Sequence, residues 1–280
     1  MFVELSDARI FFDTIGAGLG LGDGQMDVRP TLIALHGGPG FDHAAMRPYF
    51  DRFADTHQVL YLDHRGNGRS SGDPETWTLK QWGADVKAVC DYLGIVKPVV
   101  MGVSFGGMVA MSYAAQFPDH PSKLILSSTA ARTRLDITYK MMETLGGKRA
   151  REIAQAVFDD GDETAMVEYR TVCLPLYNPK PDPEPGVRAR AIVRIDVARH
   201  FIMGEQRTMD LRSGLARVQC PTLITAGRLD PITPVECAEE IAASLRRSLG
   251  QLHVFKDAGH GVHRDEPEKA EHLMRNFLAG

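Results

Sequence analysis

The sequence predicts an α/β fold: a mostly parallel central sheet with helices on both faces and an inserted helical cap. Three observations carry this. Short apolar runs such as Thr31–His36, Gln58–Asp63 and Pro98–Val103 suit strands buried on both faces. Segments of helical periodicity alternate with them, the rhythm of strand–helix–strand units. That rhythm stops after Ala131 and resumes at Pro221, so a helical cap is expected over 132–215 and the α/β core over 1–131 and 216–280.

Taken in order, Phe2–Leu5 and Arg9–Thr14 read as strands joined by a Ser6-Asp7 turn. The run Gly16–Gly24 reads as a flexible loop. A dinucleotide-binding register fails there, landing on Leu21, Asp23 or Gln25 with no helix after it. Ala44–Ala54 is expected to be helical. Thr78–Leu93 has helical apolar spacing at Leu79, Trp82, Val86, Val89, Cys90 and Leu93, with Thr78 as N-cap and Gly94 as stop. Pro98–Val103 leads into a helix over Phe105–Phe117, and Leu124–Ser128 is the next strand. In the insertion, helices are expected at Asp136–Leu145, Lys148–Phe158, Asp162–Cys173 and Val187–Met203. The prolines of 175–186 make a stiff connection among them. Strands return at Pro221–Gly227 and Leu252–Phe255, with helices at Pro234–Leu249 and Pro267–Leu278.

Composition narrows the function. The chain has 280 residues, 44% hydrophobic and 24% charged, with a net charge of −4. That balance gives no footprint for nucleic acid or an anionic membrane surface. The cysteines Cys90, Cys173, Cys220 and Cys237 match no zinc spacing. With no signal-peptide pattern at the start, reduced thiols and a cytoplasmic location are expected. No metal or cofactor is expected.

The chemistry centres on Gly102-Val103-Ser104-Phe105-Gly106, a strand, a tight turn bearing one serine, and a helix start. This Gly-x-Ser-x-Gly pattern resembles the nucleophile elbow of α/β-hydrolases, where small neighbours let the serine occupy a strained turn. A serine nucleophile needs a base, and the base needs a group that fixes its tautomer. Asp230 and His260 each follow a strand and come in the order Ser, Asp, His. His263 competes with His260 but falls where the next turn begins. An oxyanion hole needs two backbone donors. Phe105 N–H is one, and the glycine-rich His36-Gly37-Gly38-Pro39-Gly40 supplies the other, from Gly38 first and Gly37 second.

His36-Gly37-Gly38-Pro39-Gly40, Asp63-His64-Arg65-Gly66-Asn67-Gly68-Arg69-Ser70 and Gly102–Gly107, with Gly227–Asp230 and Gly259-His260, resemble the proline iminopeptidase group of α/β-hydrolases. The resemblance implies an acyl-enzyme mechanism that releases an N-terminal residue, proline by preference, from short peptides or arylamides. It implies oxyanion donors at Gly38 and Phe105. It also implies a cap glutamate that binds the substrate's α-ammonium. Glu152, Glu163, Glu168 and Glu205 are the candidates, and Glu205 lies nearest the return to the sheet. The best-known members carry tryptophan where this chain has Phe105, so the acyl pocket is expected to differ. A carboxylesterase or amidase acting on small acyl esters or amides is the alternative. A ligand receptor on a hydrolase scaffold is a more distant one.

Overall fold

The computed structural model describes residues 1–21, 25–181 and 186–280. Its strands are β1 (Phe2–Glu4), β2 (Arg9–Ile15), β3 (Leu19–Leu21), β4 (Met26–Val28), β5 (Thr31–Leu35), β6 (Gln58–Leu62), β7 (Val99–Val103), β8 (Lys123–Ser127), β9 (Thr222–Gly227) and β10 (Gly250–Phe255). An eight-stranded sheet runs β1-β2-β6-β5-β7-β8-β9-β10. β1 and β2 are antiparallel, and every pairing from β6 to β10 is parallel. The predicted fold class is the observed one.

Alternation along the strands builds two apolar layers. Ile33, Leu35, Leu60, Leu62 and Val100 face one core, which includes Trp82, Phe105 and Phe201. Leu32, Ala34, Val59, Tyr61, Val99 and Met101 face the other, which includes Phe50, Phe53 and Met274. The helices are α1 (Arg47–Phe50), α2 (Leu79–Leu93), α3 (Phe105–Gln116), α4 (Leu135–Gln155), α5 (Glu163–Val172), α6 (Gly186–Ala189), α7 (Ile195–Met203), α8 (Arg212–Leu215), α9 (Val235–Ser244), α10 (Val262–Asp265) and α11 (Pro267–Ala279).

Between β8 and β9 the described residues form helices α4 to α8 and no named strand. This insertion has its own core, with Tyr139, Met142, Ile153, Val157, Tyr169 and Cys173 buried together. An isolated bridge between Arg132 and Asp210 draws its two ends together.

Several expected elements change in detail. Leu19–Leu21 and Met26–Val28, expected as loop, pair as an antiparallel hairpin; the rest of that loop, 22–24, lies outside the described residues. Most of the proline-rich connection is described, as a turn of 3-10 helix at Leu174–Tyr177 and the residues after it, but 182–185 lie outside. The expected helix over 44–54 is three short pieces, His43–Ala45, α1 and Asp51–Asp55. The helices expected at 136–145 and 148–158 join in α4 across a kink at Gly147, whose φ of 74° only glycine adopts readily. The long helix expected at 187–203 is broken into α6 and α7. The Arg194 N–H, needed by a helical ladder, instead donates to Gly40 O at 2.6 Å. α9 stops at Ser244 because Leu245 turns extended, with ψ 159°.

Candidate active site

The elbow forms because three glycines let backbone approach backbone. A Cβ on Gly102 would stand 2.2 Å from Gly106 O, and one on Gly106 would stand 2.2 Å from Leu35 O. At Gly107 a Cβ would meet the Thr129 side chain at 2.6 Å. Ser104, between β7 and α3, is held at φ 54° and ψ −118°. For a non-glycine residue this conformation costs about 1–3 kcal/mol, and its neighbours must hold it in place. Ser104 N–H donates to Ser127 O at 2.9 Å, and Ser104 O accepts from Gly107 N at 2.9 Å and Thr129 Oγ1 at 2.7 Å. Ser104 is 9% exposed.

His260 follows β10, and its Nδ1 lies 2.8 Å from Asp230 Oδ2. Asp230 follows β9 and is fully buried. Its Oδ1 accepts from Ile232 N at 2.8 Å and Thr233 N at 3.0 Å, and its Oδ2 from Thr233 Oγ1 at 2.7 Å. Asp230 is therefore a turn-forming aspartate and the histidine's partner at once. Burial pushes its carboxyl up, but His260 and the Thr233 donors outweigh that and hold it below the usual range. The carboxylate stays charged, and its contact with Nδ1 fixes which ring nitrogen faces it. His263 instead sits buried against Tyr49 and Phe50, with ring centroids at 5.2 and 5.3 Å. Burial pushes its imidazole down to about 4.

The His36–Gly40 loop backs directly onto Ser104. A Cβ on Gly37 would stand 3.4 Å from Ser104 Cβ, and Gly38 takes φ 123°. Phe105 N–H lies in the first turn of α3, where donors have no partner within the helix. His36 fixes the loop through a defined tautomer. Its Nε2 accepts from His64 N at 3.1 Å, so its Nδ1–H donates to Gly37 O at 2.7 Å. Asn67 Oδ1 accepts from Gly40 N at 2.7 Å.

The Asp63–Ser70 block is scaffolding for this loop. Asp63 Oδ1 accepts from His43 N and lies 2.6 Å from His43 Nδ1. Arg65 is buried, donating to Asp85 at 2.7 and 2.8 Å and to Asp7 at 3.0 Å. Ser70 Oγ donates to Asp63 O at 2.6 Å.

The Phe105 side chain does not line an open cleft. It is buried among Trp82, His64 and Phe201 of α7, with ring centroids at 4.9, 5.4 and 5.1 Å. Glu205 is tied into the scaffold, because its Oε2 accepts from Leu79 N at 2.7 Å, at the N-terminus of α2. Burial pushes its carboxyl up, against the pull of the Leu79 N–H and of His200. Glu152 and Glu163 are exposed and Glu168 is half-buried, and they pair with Lys148, Arg199 and Arg149.

Sequence reasoning missed the supports. Thr233 could have been found, since a hydroxyl three residues after a turn aspartate is an ordinary partner. Thr129, Asn67, Tyr177 and Asn178 leave no such local signal. Among the described residues no group of side chains could hold a metal ion, and no helix is long and apolar enough to cross a membrane.

Comparison with known proteins places this geometry among relatives. The alpha/beta hydrolase fold family matches residues 30–267. A proline iminopeptidase of Pestalotiopsis fici is 26% identical over 290 residues, covering 99% of this chain and 98% of the relative. A solved proline iminopeptidase of Mycobacterium smegmatis superposes with a TM-score of 0.79 at 21% identity, covering 100% and 97% of the two chains. An esterase of Exiguobacterium antarcticum superposes at 0.72 and 22%, covering 100% and 99%.

Proposed function

The chain belongs to the alpha/beta hydrolase fold family, and from that premise we propose that it is a serine hydrolase working through an acyl-enzyme. The observation that carries this is the 2.8 Å contact of His260 with the buried Asp230, together with a serine held in a strained elbow. Ser104 Oγ attacks the substrate carbonyl as His260 Nε2 takes its proton. Asp230 orients the ring and stabilises the imidazolium. Gly38 and Phe105 N–H groups receive the oxyanion, where one such donor is worth about 3–4 kcal/mol. His260 then gives the proton to the leaving amine or alcohol, and water releases the acyl group by the same steps.

The substrate reading follows the His36–Gly40 motif and the relatives: release of an N-terminal residue, proline by preference, from short peptides or arylamides. A second reading, a carboxylesterase or amidase indifferent to a free amine, is favoured by the ties of the four cap glutamates. Three substrates separate them: proline arylamide, its N-blocked form and a short acyl ester. Preference for the free amine supports the aminopeptidase, and indifference to blocking supports the second reading. Turnover that survives Ser104→Ala overturns both. Slow fluorophosphonate labelling without turnover would point to a ligand receptor.

A further inference from the structure

The carbonyls of the loop that carries His260 are held locally: Ala258 O accepts from Leu229 N–H, and Gly261 O from Arg264 and Asp265 N–H, each at 2.9 Å. Glycines flank the histidine on both sides, so the backbone there is held by what it touches. Of its own N–H donors at 259–261, the first stays local: Gly259 N–H donates to Asp265 Oδ2 at 2.8 Å. The next two donors both go to the cap. His260 N–H donates to Tyr177 O at 2.6 Å, and Gly261 N–H donates to Asn178 Oδ1 at 2.8 Å.

The flanking glycines fit these contacts closely. A Cβ on Gly259 would stand 2.1 Å from Tyr177 O, and one on Gly261 would stand 2.7 Å from Asn178 Oδ1. The Tyr177 ring meets His260 edge-on, with centroids 5.3 Å apart. Tyr177 is itself fixed: its hydroxyl lies 2.9 Å from that of Tyr169, a residue of α5 buried in the cap core. A continuous path therefore runs from the cap interior to the backbone of the histidine.

We propose that Asn178 is a positioning residue for the general base, its side-chain carbonyl holding Gly261 N–H so that His260 keeps the alignment the reaction needs. The inference rests on His260 acting as the base of a serine hydrolase. Without the acceptor, the Gly261 N–H is stranded in a buried position, and the loop relaxes to satisfy it. Small displacements of a catalytic group cost rate far more than they cost substrate binding.

The test uses the full chain and a short aryl ester, with kcat, KM, the rate of fluorophosphonate labelling and Tm measured for each variant. Asn178→Ala should lower kcat and the labelling rate together, by about tenfold, with KM within about twofold. Asn178→Asp keeps an oxygen acceptor and should retain most of the wild-type kcat. If Asn178→Ala does not fold, Tyr169→Phe, which removes only one hydroxyl from the path, should lower kcat about two- to threefold with KM held. The proposal is overturned by unchanged kcat in Asn178→Ala or, where that variant does not fold, in Tyr169→Phe, by equal losses in the Ala and Asp variants, or by a rise in KM alone. Ser104→Ala is run beside them. If it keeps full turnover, the serine hydrolase reading falls and takes the proposal with it. If it is inactive while Asn178→Ala matches wild type, only the proposal falls.

Discussion

Thr129 Oγ1 donates a 2.7 Å hydrogen bond to the backbone carbonyl of Ser104. Thr129 follows β8, so the neighbouring strand's loop clamps the peptide unit just after Ser104. The contact opposes the relaxation that φ 54° invites. Thr129→Val keeps the shape and removes the donor. Stability should fall by about 1 kcal/mol, with a loss in kcat, read by urea denaturation and ester turnover. Wild-type values in both would dismiss the clamp.

Two glycines near the serine should respond in opposite ways. Gly106→Ala drives a methyl to within 2.2 Å of Leu35 O, which is backbone and cannot swing aside. That variant should fail to accumulate as folded protein. At Gly37 the nearest atoms stand at 3.3 and 3.4 Å, tight but tolerable. Gly37→Ala should fold, with a far-ultraviolet spectrum like wild type, and lose activity because the new methyl crowds Ser104. Full activity in Gly37→Ala would remove that loop from the site.

Glu205 offers a clean separation of roles. Its carboxylate accepts the Leu79 N–H at the positive end of α2. Glu205→Gln keeps the reach but loses the charge, a stability loss of about 0.5–1 kcal/mol. If Glu205 serves the fold alone, KM for proline arylamide stays put while Tm drops. A large rise in KM confined to free-amine substrates would restore the ammonium-binding role.

Acid should weaken the fold in two windows. Burial pushes the imidazoles of His36 and His64 below their ordinary value of 6.5, and that of His263 to about 4. The folded state binds fewer protons than the unfolded chain, so stability is full above pH 6.5 and declines as pH falls through the folded values. Each such group sets a slope of up to about 1.4 kcal/mol per pH unit. Asp63 is held at about 2: burial opposes this, but His43, His36 and the Arg69 N–H prevail. Its contribution is lost as pH falls from 3.8 toward 2. Denaturation midpoints at pH 7.5, 6, 5 and 4 (about one unit apart) should fall steadily below 6.5. A flat series would mean these rings are not buried in solution.

The sheet and the order of Ser104, Asp230 and His260 were legible because they obey local rules. Buried strands announce themselves as apolar runs, and catalytic loops follow strand ends. The pairing of β3 with β4 was missed because its apolar residues face outward: Leu21 and Val28 are exposed. The break near Arg194 was missed because its cause is Gly40, far away in sequence. Asn178 and Gly261 are 83 residues apart, and no spacing rule links such a pair. The bond from Leu79 N–H to Glu205 was not legible for the same reason, since the two residues are far apart in sequence.

Phe105 adjoins Ser104 and packs its ring against Phe201 of the cap, 5.1 Å away. Arg194 and Asn178 add two more seams, at Gly40 and Gly261. The insertion is consequently not an interchangeable part. A cap transplanted from a relative would have to bring its own matches for residues 40, 105 and 259–261. Chimeras joined only at 132 and 215 should fold as two intact halves yet turn over poorly, until those few core positions are exchanged along with the cap.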